Sequence, residues 1–281
     1  MEHIIHRGEK IPLIGFGTYR LGGCDRSAEE DTIHHGISEL GMTLLDTAEM
    51  YGSGLSEEIL GQIIKAHERS RLFIVDKILP SNARKGAYAE SCKRSLERLG
   101  TDYIDLYLLH WKDSVELQDM VYQMEELVRA GLIRHWGVSN FDTHEMQQLF
   151  DCDKGCNCFC DQILYNLSER GAEFDLIPWC KAHDVLVMAY SPLCNCCEAR
   201  KSVAQQETVR KIAAAEGKTP ESLMLSFVVR DKKVITVFKT ASREHLTHNM
   251  QNVFGEISPQ DQAKLDMSFA PPVKKYPLEK I

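Results

Sequence analysis

The sequence predicts an α/β protein of the (β/α)8 TIM-barrel class, in which eight parallel strands alternate with helices. Three observations support this fold. The chain has 281 residues, and one such barrel typically needs about 250. Apolar runs of strand length alternate with segments of helical periodicity, and ionisable residues end three successive runs. The predicted strands are residues 11–17, 42–46, 72–77, 103–110, 133–139, 159–164, 185–190 and 234–239.

Segments with helical periodicity lie between these strands. They are residues 29–40, 56–69, 87–99, 117–130, 144–150, 174–183, 203–215 and 221–230. The last two both precede the final strand, so extra helices are expected in the C-terminal part of the chain. No linker rich in Pro, Gly or Ser divides the sequence, and residues 1–281 are therefore expected to form a single barrel domain.

Capping residues mark several helix ends. Ser56, Thr219 and Ser258 each precede acidic residues or proline, a pattern typical of a helix N-cap. Glycine follows three helical segments directly, where a residue of left-handed conformation commonly ends a helix. These glycines are Gly41, Gly100 and Gly131.

A doubly wound nucleotide-binding sheet is the competing architecture. Such a sheet should carry G-x-G-x-x-G after its first strand. Here the segment Gly15-Phe-Gly17-Thr-Tyr-Arg lacks the third glycine. Any nucleotide must therefore be held in another way.

Composition narrows the range of partners. The formal net charge of −8 argues against a nucleic-acid surface and favours small molecules as partners. The N-terminus lacks the basic and then apolar order of a signal peptide, and no apolar run is long enough to span a bilayer. We therefore expect a cytoplasmic protein that is not bound to membranes.

Ten cysteines are many for a chain of this length. Most lie in two groups, namely Cys152, Cys156, Cys158 and Cys160, and Cys194, Cys196 and Cys197. Without a signal sequence, reduced thiols are favoured over a disulfide framework. The spacing of the first group does not supply the paired knuckles of a zinc site, so small buried side chains and incidental surface thiols are expected and no metal site is predicted.

The strongest chemical signal is a set of four residues at strand ends. Asp46 ends one apolar run, Tyr51 follows in a Gly-rich loop, and Lys77 and His110 end the next two runs. A phenol exchanges protons poorly near neutral pH unless a cation stabilises its phenolate. Lys77 can supply that cation, Asp46 can pair with Lys77, and His110 can orient a substrate carbonyl.

Each of these residues alone is also compatible with a rim or core role. A single Asp or Lys at a strand end is commonly solvated, and a single Tyr or His commonly packs. Their order and their shared placement at the C-terminal ends of strands favour a joint catalytic role, since this is where barrels build active sites. The set suits protonation of an oxygen that gains negative charge as a carbonyl accepts a hydride.

Asp46, Tyr51 and His110 lie in motifs through which the chain resembles the aldo-keto reductase family. The resemblance covers essentially its whole length. Seven ordered motifs carry the resemblance: Gly15-Phe-Gly17-Thr18, Asp46-Thr-Ala-Glu-Met-Tyr51-Gly, Arg98-Leu-Gly-Thr-Asp-Tyr-Ile-Asp-Leu-Tyr-Leu-Leu-His110-Trp111, Gly137-Val-Ser139-Asn140-Phe141, Gln162-Ile-Leu-Tyr-Asn166, Ala189-Tyr190-Ser191-Pro192-Leu193 and Lys239-Thr240. The resemblance implies an N-terminal hairpin that caps the bottom of the barrel, formed by residues 3–5 and 10–13 around Arg7-Gly8.

The resemblance also implies NADPH-dependent reduction of aldehydes and ketones, with Tyr51 as general acid, Asp46 and Lys77 as its tuners and His110 orienting the carbonyl. The implied cofactor contacts fall into groups: Ser139, Asn140 and Gln162 at the nicotinamide carboxamide, Tyr190 on its ring, Ser191 and Leu193 near the pyrophosphate, Lys239 and Thr240 at the adenosine ribose phosphate, and further contacts from Gly17, Thr18, Asp46, His245 and Asn249. Substrate contacts are expected from Tyr19, Tyr51, His110 and Trp111.

The sequence departs from the family pattern at several positions, and two of these departures bear on the cofactor. An arginine commonly lies six residues after the cofactor lysine, whereas here His245 occupies that offset from Lys239 and Arg243 lies two residues earlier. Since a guanidinium and an imidazole differ as phosphate ligands, NADH use is possible as well. Cys160 is expected to lie near the nicotinamide, where its thiol would make the enzyme sensitive to oxidation.

The C-terminal segment is short, as in the microbial-type reductases of the family, including those that resemble diketogluconate reductases. We therefore expect an open substrate pocket that takes small aldehydes, dicarbonyls or keto sugars, in a monomer or weak dimer. The alternative is a nicotinamide-nucleotide sensor or regulatory subunit built on the same barrel, because a fold alone does not fix function.

Overall fold

The structure is a computed structural model that describes residues 1–23, 25–194 and 196–280. It begins with a hairpin of two antiparallel strands, β1 (His3–His6) and β2 (Glu9–Pro12). Arg7 and Gly8 both have positive φ, 45° and 86°, as a two-residue hairpin turn requires. The predicted hairpin is confirmed: β1 extends one residue beyond the predicted 3–5, and β2 lies one residue earlier than the predicted 10–13.

A closed barrel of parallel strands follows. Its strands are β3 (Ile14–Gly17), β4 (Leu44–Asp46), β5 (Phe73–Ile78), β6 (Ile104–Leu109), β7 (Ile133–Ser139), β8 (Cys160–Leu164), β9 (Leu186–Tyr190) and β10 (Val234–Phe238). Each pairs with its sequence neighbour, and β10 closes the barrel against β3. The predicted (β/α)8 barrel is confirmed, although the first predicted strand is divided between β2 and β3.

Helices surround the barrel. They are α1 (Arg26–Leu40), α2 (Leu55–Ile64), α3 (Tyr88–Leu99), α4 (Leu117–Arg129), α5 (Thr143–Phe150), α6 (Leu176–Ala182), α7 (Cys197–Gln205), α8 (Glu207–Ala215), α9 (Pro220–Val229), α10 (Arg243–Met250) and α11 (Pro259–Ser268). The expected extra helices are therefore present, since α10 and α11 follow the last strand. Within the described ranges, no helix is both long and apolar enough to cross a membrane.

The helix ends confirm most of the predicted caps. The side chains of Thr219 and Ser258 accept hydrogen bonds from backbone N–H groups in the first turns of α9 and α11. The three predicted glycines, Gly41, Gly100 and Gly131, all have left-handed φ. The side-chain caps formed as predicted because they depend only on residues adjacent in sequence.

Two predictions about helices are wrong. Ser56 is not an N-cap, because α2 begins one residue earlier after Gly54, and the Ser56 hydroxyl instead donates to the Thr18 carbonyl at 3.1 Å. The predicted helix over residues 203–215 is two helices, α7 and α8, which meet at Gln206. Gln206 has ψ of 133°, an extended conformation that interrupts helical hydrogen bonding.

The hairpin covers the N-terminal end of the barrel. His6 Nε2 lies 3.2 Å from the carbonyl oxygen of Phe159, immediately before β8. Arg7 donates to the Asp184 side chain at 3.1 Å, just before β9. With this end closed, the C-terminal ends of the strands are the open mouth of the barrel.

Helix α2 packs on the C-terminal end of α3 through Gly61. A Cβ atom at this position would lie 2.4 Å from the Arg98 carbonyl oxygen and 2.8 Å from that of Leu99. We expect Gly61→Ala to lower the free energy of unfolding by about 1–3 kcal/mol through overpacking, although alanine usually stabilises an exposed helix position by about 0.5–1 kcal/mol. Urea denaturation measures this change.

The matched control is Gln62→Ala, at the neighbouring exposed position of the same helix. This variant should unfold within about 0.5 kcal/mol of the unmodified protein. Equal stability of the two variants would contradict the close approach of α2 to the end of α3.

Candidate active site

Four ionisable side chains from three consecutive βα units meet at the barrel mouth. Asp46 is the last residue of β4, Lys77 is the penultimate residue of β5, and His110 follows β6 directly. Tyr51 begins the short 3-10 turn of residues Tyr51–Gly54 that leads into α2. Because parallel strands end at the same face, the sequence pattern brings all four residues together, as predicted.

A buried ion pair lies at the centre of this group. Lys77 Nζ donates to Asp46 Oδ1 at 2.6 Å and to the Thr47 carbonyl oxygen at 2.8 Å. Lys77 is fully buried and Asp46 is 3% exposed. Burial alone would lower the pKa of Lys77, but Asp46 and Tyr51 raise it above its usual value, so Lys77 remains a cation.

Tyr51 lies against this cation. Its hydroxyl is 3.4 Å from Lys77 Nζ, and its ring is in edge contact with those of Tyr19 and His110, at centroid distances of 5.3 and 5.9 Å. Burial raises the pKa of Tyr51, and the Lys77 charge offsets this only in part. Lys77 therefore acts on the phenol as expected, but the net effect keeps Tyr51 protonated.

His110 is held in its neutral form. Burial and the nearby Lys77 charge lower its pKa to about 3. Its ring is 5.1 Å from that of Trp111, and its Nδ1 atom has no hydrogen-bond partner among the described residues. A neutral imidazole has one N–H donor and one acceptor nitrogen, so His110 can donate to a carbonyl without introducing a positive charge.

Four further side chains form a connected polar group beside the ion pair, which we call the amide cluster: Ser139, Asn140, Gln162 and Tyr190. Gln162 Nε2 donates to Asp46 Oδ1 at 2.7 Å, and the backbone carbonyl oxygen of Gln162 accepts from the Ser139 hydroxyl at 2.8 Å. The Tyr190 hydroxyl donates to Asn140 Oδ1 at 2.8 Å. All four residues were predicted as cofactor contacts, and the structure brings them together.

Other predicted cofactor residues lie at neighbouring strand ends. Gly17 ends β3 opposite Asp46, and Thr18 follows it with a fully buried hydroxyl that has no partner among the described residues. Ser191 directly follows β9 with φ of 51°, and Leu193 is buried nearby in sequence.

The remaining predicted cofactor residues, Lys239, Thr240, His245 and Asn249, come from the chain after β10 and from α10. The Thr240 hydroxyl accepts from the Ser242 N–H at 3.3 Å. His245 is exposed and Asn249 is buried on the same helix. The Lys239 ammonium is directed at the Glu29 carboxylate, 2.6 Å away.

Comparison with known proteins agrees with this geometry. The model of the Aldo/keto reductase family matches residues 13–268. The chain belongs to this family. It is 38% identical over 273 residues to Methylglyoxal reductase YeaE of Escherichia coli, covering 96% of this chain and 95% of that protein.

Solved structures give the same result. An aldo/keto reductase from Klebsiella pneumoniae in complex with NADP and acetate superimposes with a TM-score of 0.95 at 40% identity, over 100% of this chain and 99% of that one. A Klebsiella pneumoniae aldo-keto reductase in complex with NADPH has a TM-score of 0.94 at 40% identity, over 100% of both chains.

The expectation of a reactive Cys160 in this aldo-keto reductase is wrong. Cys160 is the first residue of β8, at the end of the strand covered by the hairpin, and it is fully buried. Burial raises the pKa of its thiol well above the usual value, which disfavours the thiolate that oxidants attack.

All nine described cysteines carry free thiols, and Cys24 lies outside the described residues. Four of them, Cys92, Cys158, Cys160 and Cys180, are buried, whereas Cys156, Cys196 and Cys197 are exposed. Across residues 1–23, 25–194 and 196–280, no three His, Cys, Asp or Glu side chains are grouped so that they could hold a metal ion.

Sequence reasoning missed two carboxylates near the mouth of this reductase. Glu49 accepts from the Leu79 N–H at 2.6 Å and from the Ser91 hydroxyl at 2.7 Å, which fixes the loop after β5. Glu29, in the first turn of α1, contacts Lys239. Glu49 lies inside the Asp46–Tyr51 motif and could have been suspected there, whereas nothing in the sequence near Glu29 indicates its partner.

The ion pair gives a stability prediction. Lys77→Met leaves the Asp46 carboxylate buried without its cation, which should lower the free energy of unfolding by about 3–5 kcal/mol. Adding Asp46→Asn should recover part of this loss, since the uncompensated charge is removed. Urea denaturation of the single and double variants at pH 7 measures both effects.

Lys211→Met is the control for this experiment. Lys211 pairs with Glu207 on the surface, where both side chains are largely exposed, so its removal should leave the denaturation midpoint unchanged. A Lys77→Met protein as stable as the Lys211→Met protein would contradict the buried ion pair.

The buried, neutral His110 predicts how the free energy of unfolding depends on pH. Its pKa is about 3 in the folded protein and 6.5 ordinarily, so between these values only the unfolded chain binds the proton. The stability from this group is complete above pH 6.5 and falls as the pH decreases, by about 1.4 kcal/mol per pH unit. His110→Gln should therefore reduce the slope of unfolding free energy against pH by about 1.4 kcal/mol per pH unit between pH 6 and pH 4.

The same plot for His245→Gln is the control, because this imidazole is exposed. It should run parallel to that of the unmodified protein. If the plot for His110→Gln is also parallel, His110 is not buried in its neutral form.

Proposed function

We propose that this aldo-keto reductase reduces small aldehydes and ketones with NADPH, using Tyr51 as the general acid. One observation carries the proposal. The Tyr51 hydroxyl lies 3.4 Å from the buried Lys77 ammonium, which Asp46 holds at 2.6 Å. A protonated phenol beside a permanent cation is poised to lose its proton to an oxygen that becomes negatively charged.

The residues at the mouth fit a nicotinamide nucleotide. A nicotinamide carboxamide needs both a hydrogen-bond donor and an acceptor, and Ser139, Asn140 and Gln162 of the amide cluster offer both. The buried Thr18 hydroxyl has spare hydrogen-bonding capacity. The bound NADP and NADPH of the two Klebsiella structures support the same cofactor here.

We assign the other contacts by position. Tyr190 would stack on the nicotinamide ring, and Lys239 would face the adenosine ribose phosphate. The further residues assigned to the nucleotide are Gly17, Asp46, Ser191, Leu193, Thr240, His245 and Asn249. Their side chains or backbone N–H groups lie at the ends of β3, β4, β9 and β10 or on α10, which follows β10.

When bound, the dihydronicotinamide supplies a hydride to the substrate carbonyl carbon. The Tyr51 hydroxyl transfers its proton to the carbonyl oxygen, so the product is the neutral alcohol. The Tyr51 phenolate left behind is stabilised by the Lys77 ammonium until solvent returns a proton. Neutral His110 donates its N–H to the carbonyl oxygen and fixes its direction relative to Tyr51.

We propose dicarbonyls of the methylglyoxal type as a substrate class. The Escherichia coli relative is named a methylglyoxal reductase, and Tyr19 beside Tyr51 is 54% exposed, which agrees with an open pocket. Tyr19 and Trp111 would form the walls on either side of the carbonyl. Their apolar aromatic faces favour small uncharged substrates over strongly charged ones.

Tyr51→Phe tests the reaction. Removal of the general acid should lower kcat with NADPH and methylglyoxal by about 10²–10⁴-fold, while the Kd for NADPH, measured by fluorescence titration, stays within about threefold. Tyr122→Phe on α4 is the matched control, since this exposed tyrosine should leave kcat unchanged.

The outcomes separate the two candidate functions. Turnover by Tyr51→Phe at the rate of the unmodified protein would exclude Tyr51 as the acid. Tight NADPH binding without turnover over a broad panel of aldehydes, dicarbonyls and keto sugars would instead support the sensor or regulatory role.

A further inference from the structure

The cation proposed to face the ribose phosphate is already paired. Lys239 Nζ lies 2.6 Å from Glu29 Oε1 and donates to the Arg20 carbonyl oxygen at 2.7 Å. Glu29 Oε2 accepts from the Gly22 N–H at 2.7 Å. Lys239 and Glu29 together hold the loop of residues 18–23, between β3 and α1, against the end of β10.

Glu29 is an unusual carboxylate because it is 1% exposed, whereas the Lys239 side chain is 25% exposed. Its Oε1 atom makes no aligned hydrogen bond within the described part of the chain, despite the short distance to Lys239. The Glu29 carboxylate is therefore a buried counter-charge to Lys239, shielded from the water that would screen it.

The neighbouring basic residue does not compensate for this carboxylate. Arg243, at the start of α10, pairs with Asp31 at 2.8 Å, and both side chains are about half exposed. Glu29 and Asp31 both belong to α1, so two acidic residues of one helix engage the two basic residues that follow β10. Of these carboxylates, only Glu29 is buried and unscreened.

The pairing of Lys239 with Glu29 should affect the binding of NADPH and NADH differently. A 2′-phosphate that approaches Lys239 must share the ammonium with the Glu29 carboxylate and meets a like charge. A ribose 2′-hydroxyl carries no charge, so the Glu29 carboxylate does not repel it in this way. The same carboxylate therefore weakens NADPH binding and favours NADH.

We infer that Glu29 is a specificity-determining residue that reduces the preference for the 2′-phosphate, so that this reductase uses NADH as well as NADPH. The inference rests on the proposed function, since it concerns the nucleotide of the same site. It does not depend on which carbonyl compound is reduced.

Glu29→Gln tests the inference. Glutamine keeps the size of the side chain and an oxygen for the Gly22 N–H, but it releases Lys239 and removes the negative charge. The ratio of kcat/KM for NADPH to that for NADH should rise at least tenfold. In a binding assay without turnover, Kd for 2′,5′-ADP should fall at least tenfold relative to Kd for 5′-AMP.

Glu30→Gln is the matched control. It removes one negative charge from the next residue of α1, where Glu30 pairs with Arg26 rather than with Lys239. Both ratios should stay within twofold of those of the unmodified protein. Unchanged ratios in Glu29→Gln, or equal changes in both variants, overturn the inference.

Lys239→Gln supplies an independent test if Glu29→Gln does not fold. With Glu29 left unopposed, this variant should bind 5′-AMP more tightly than 2′,5′-ADP and prefer NADH to NADPH. If Glu29 has no influence on the nucleotide, the loss of Lys239 will only bring both ratios close to one, which contradicts the inference.

The binding assay also separates this inference from the proposed reaction. If the binding ratios shift as expected but no carbonyl compound is reduced, the assignment of Glu29 stands and the proposed reduction fails. If turnover occurs with both nucleotides and the binding ratios of Glu29→Gln equal those of the unmodified protein, the reduction stands and the assignment of Glu29 fails.

Discussion

The buried ion pair between Lys77 and Asp46 is the interaction on which the rest of the site depends. Two charges away from water are stable only if each has several partners. Lys77 is satisfied by Asp46 and the Thr47 carbonyl, and Asp46 Oδ1 also accepts from Gln162 Nε2 across the barrel. Strands β4, β5 and β8 must therefore bring these three residues to one level, and closure of the barrel places β8 across from β4 and β5.

This constraint extends around the mouth through hydrogen bonds. The Gln162 carbonyl accepts from the Ser139 hydroxyl and the Asn140 N–H, and Asn140 Nδ2 donates to the His110 carbonyl at 3.1 Å. Asn140 has φ of 63°, a left-handed conformation that asparagine tolerates better than most residues. The groups assigned to the nucleotide and to the proton donor thus belong to one network, so their relative positions are fixed before any ligand binds.

The sequence predicted the strands and the four central residues because those features depend on local patterns. Apolar runs determine which segments are strands, and a parallel barrel brings their C-terminal residues together whatever the details of packing. The errors occurred where a distant contact decided the outcome. Ser56 looks like an N-cap by its neighbours, but its hydroxyl reaches the Thr18 carbonyl, and Cys160 lies near Gln162 in sequence but at the opposite end of β8 from the mouth.

The contact between Lys239 and Glu29 shows the same limit most clearly. A motif predicts Lys239 as a cofactor residue, yet the charge around Lys239 depends on Glu29, which lies 210 positions earlier in the chain. These residues meet because β10 pairs with β3, Phe238 lying opposite Phe16, and α1 follows β3. The pairing that closes the barrel therefore also brings the Glu29 carboxylate to the cation that we assign to the nucleotide, so the proposed nucleotide preference depends on barrel closure as well as on the motif.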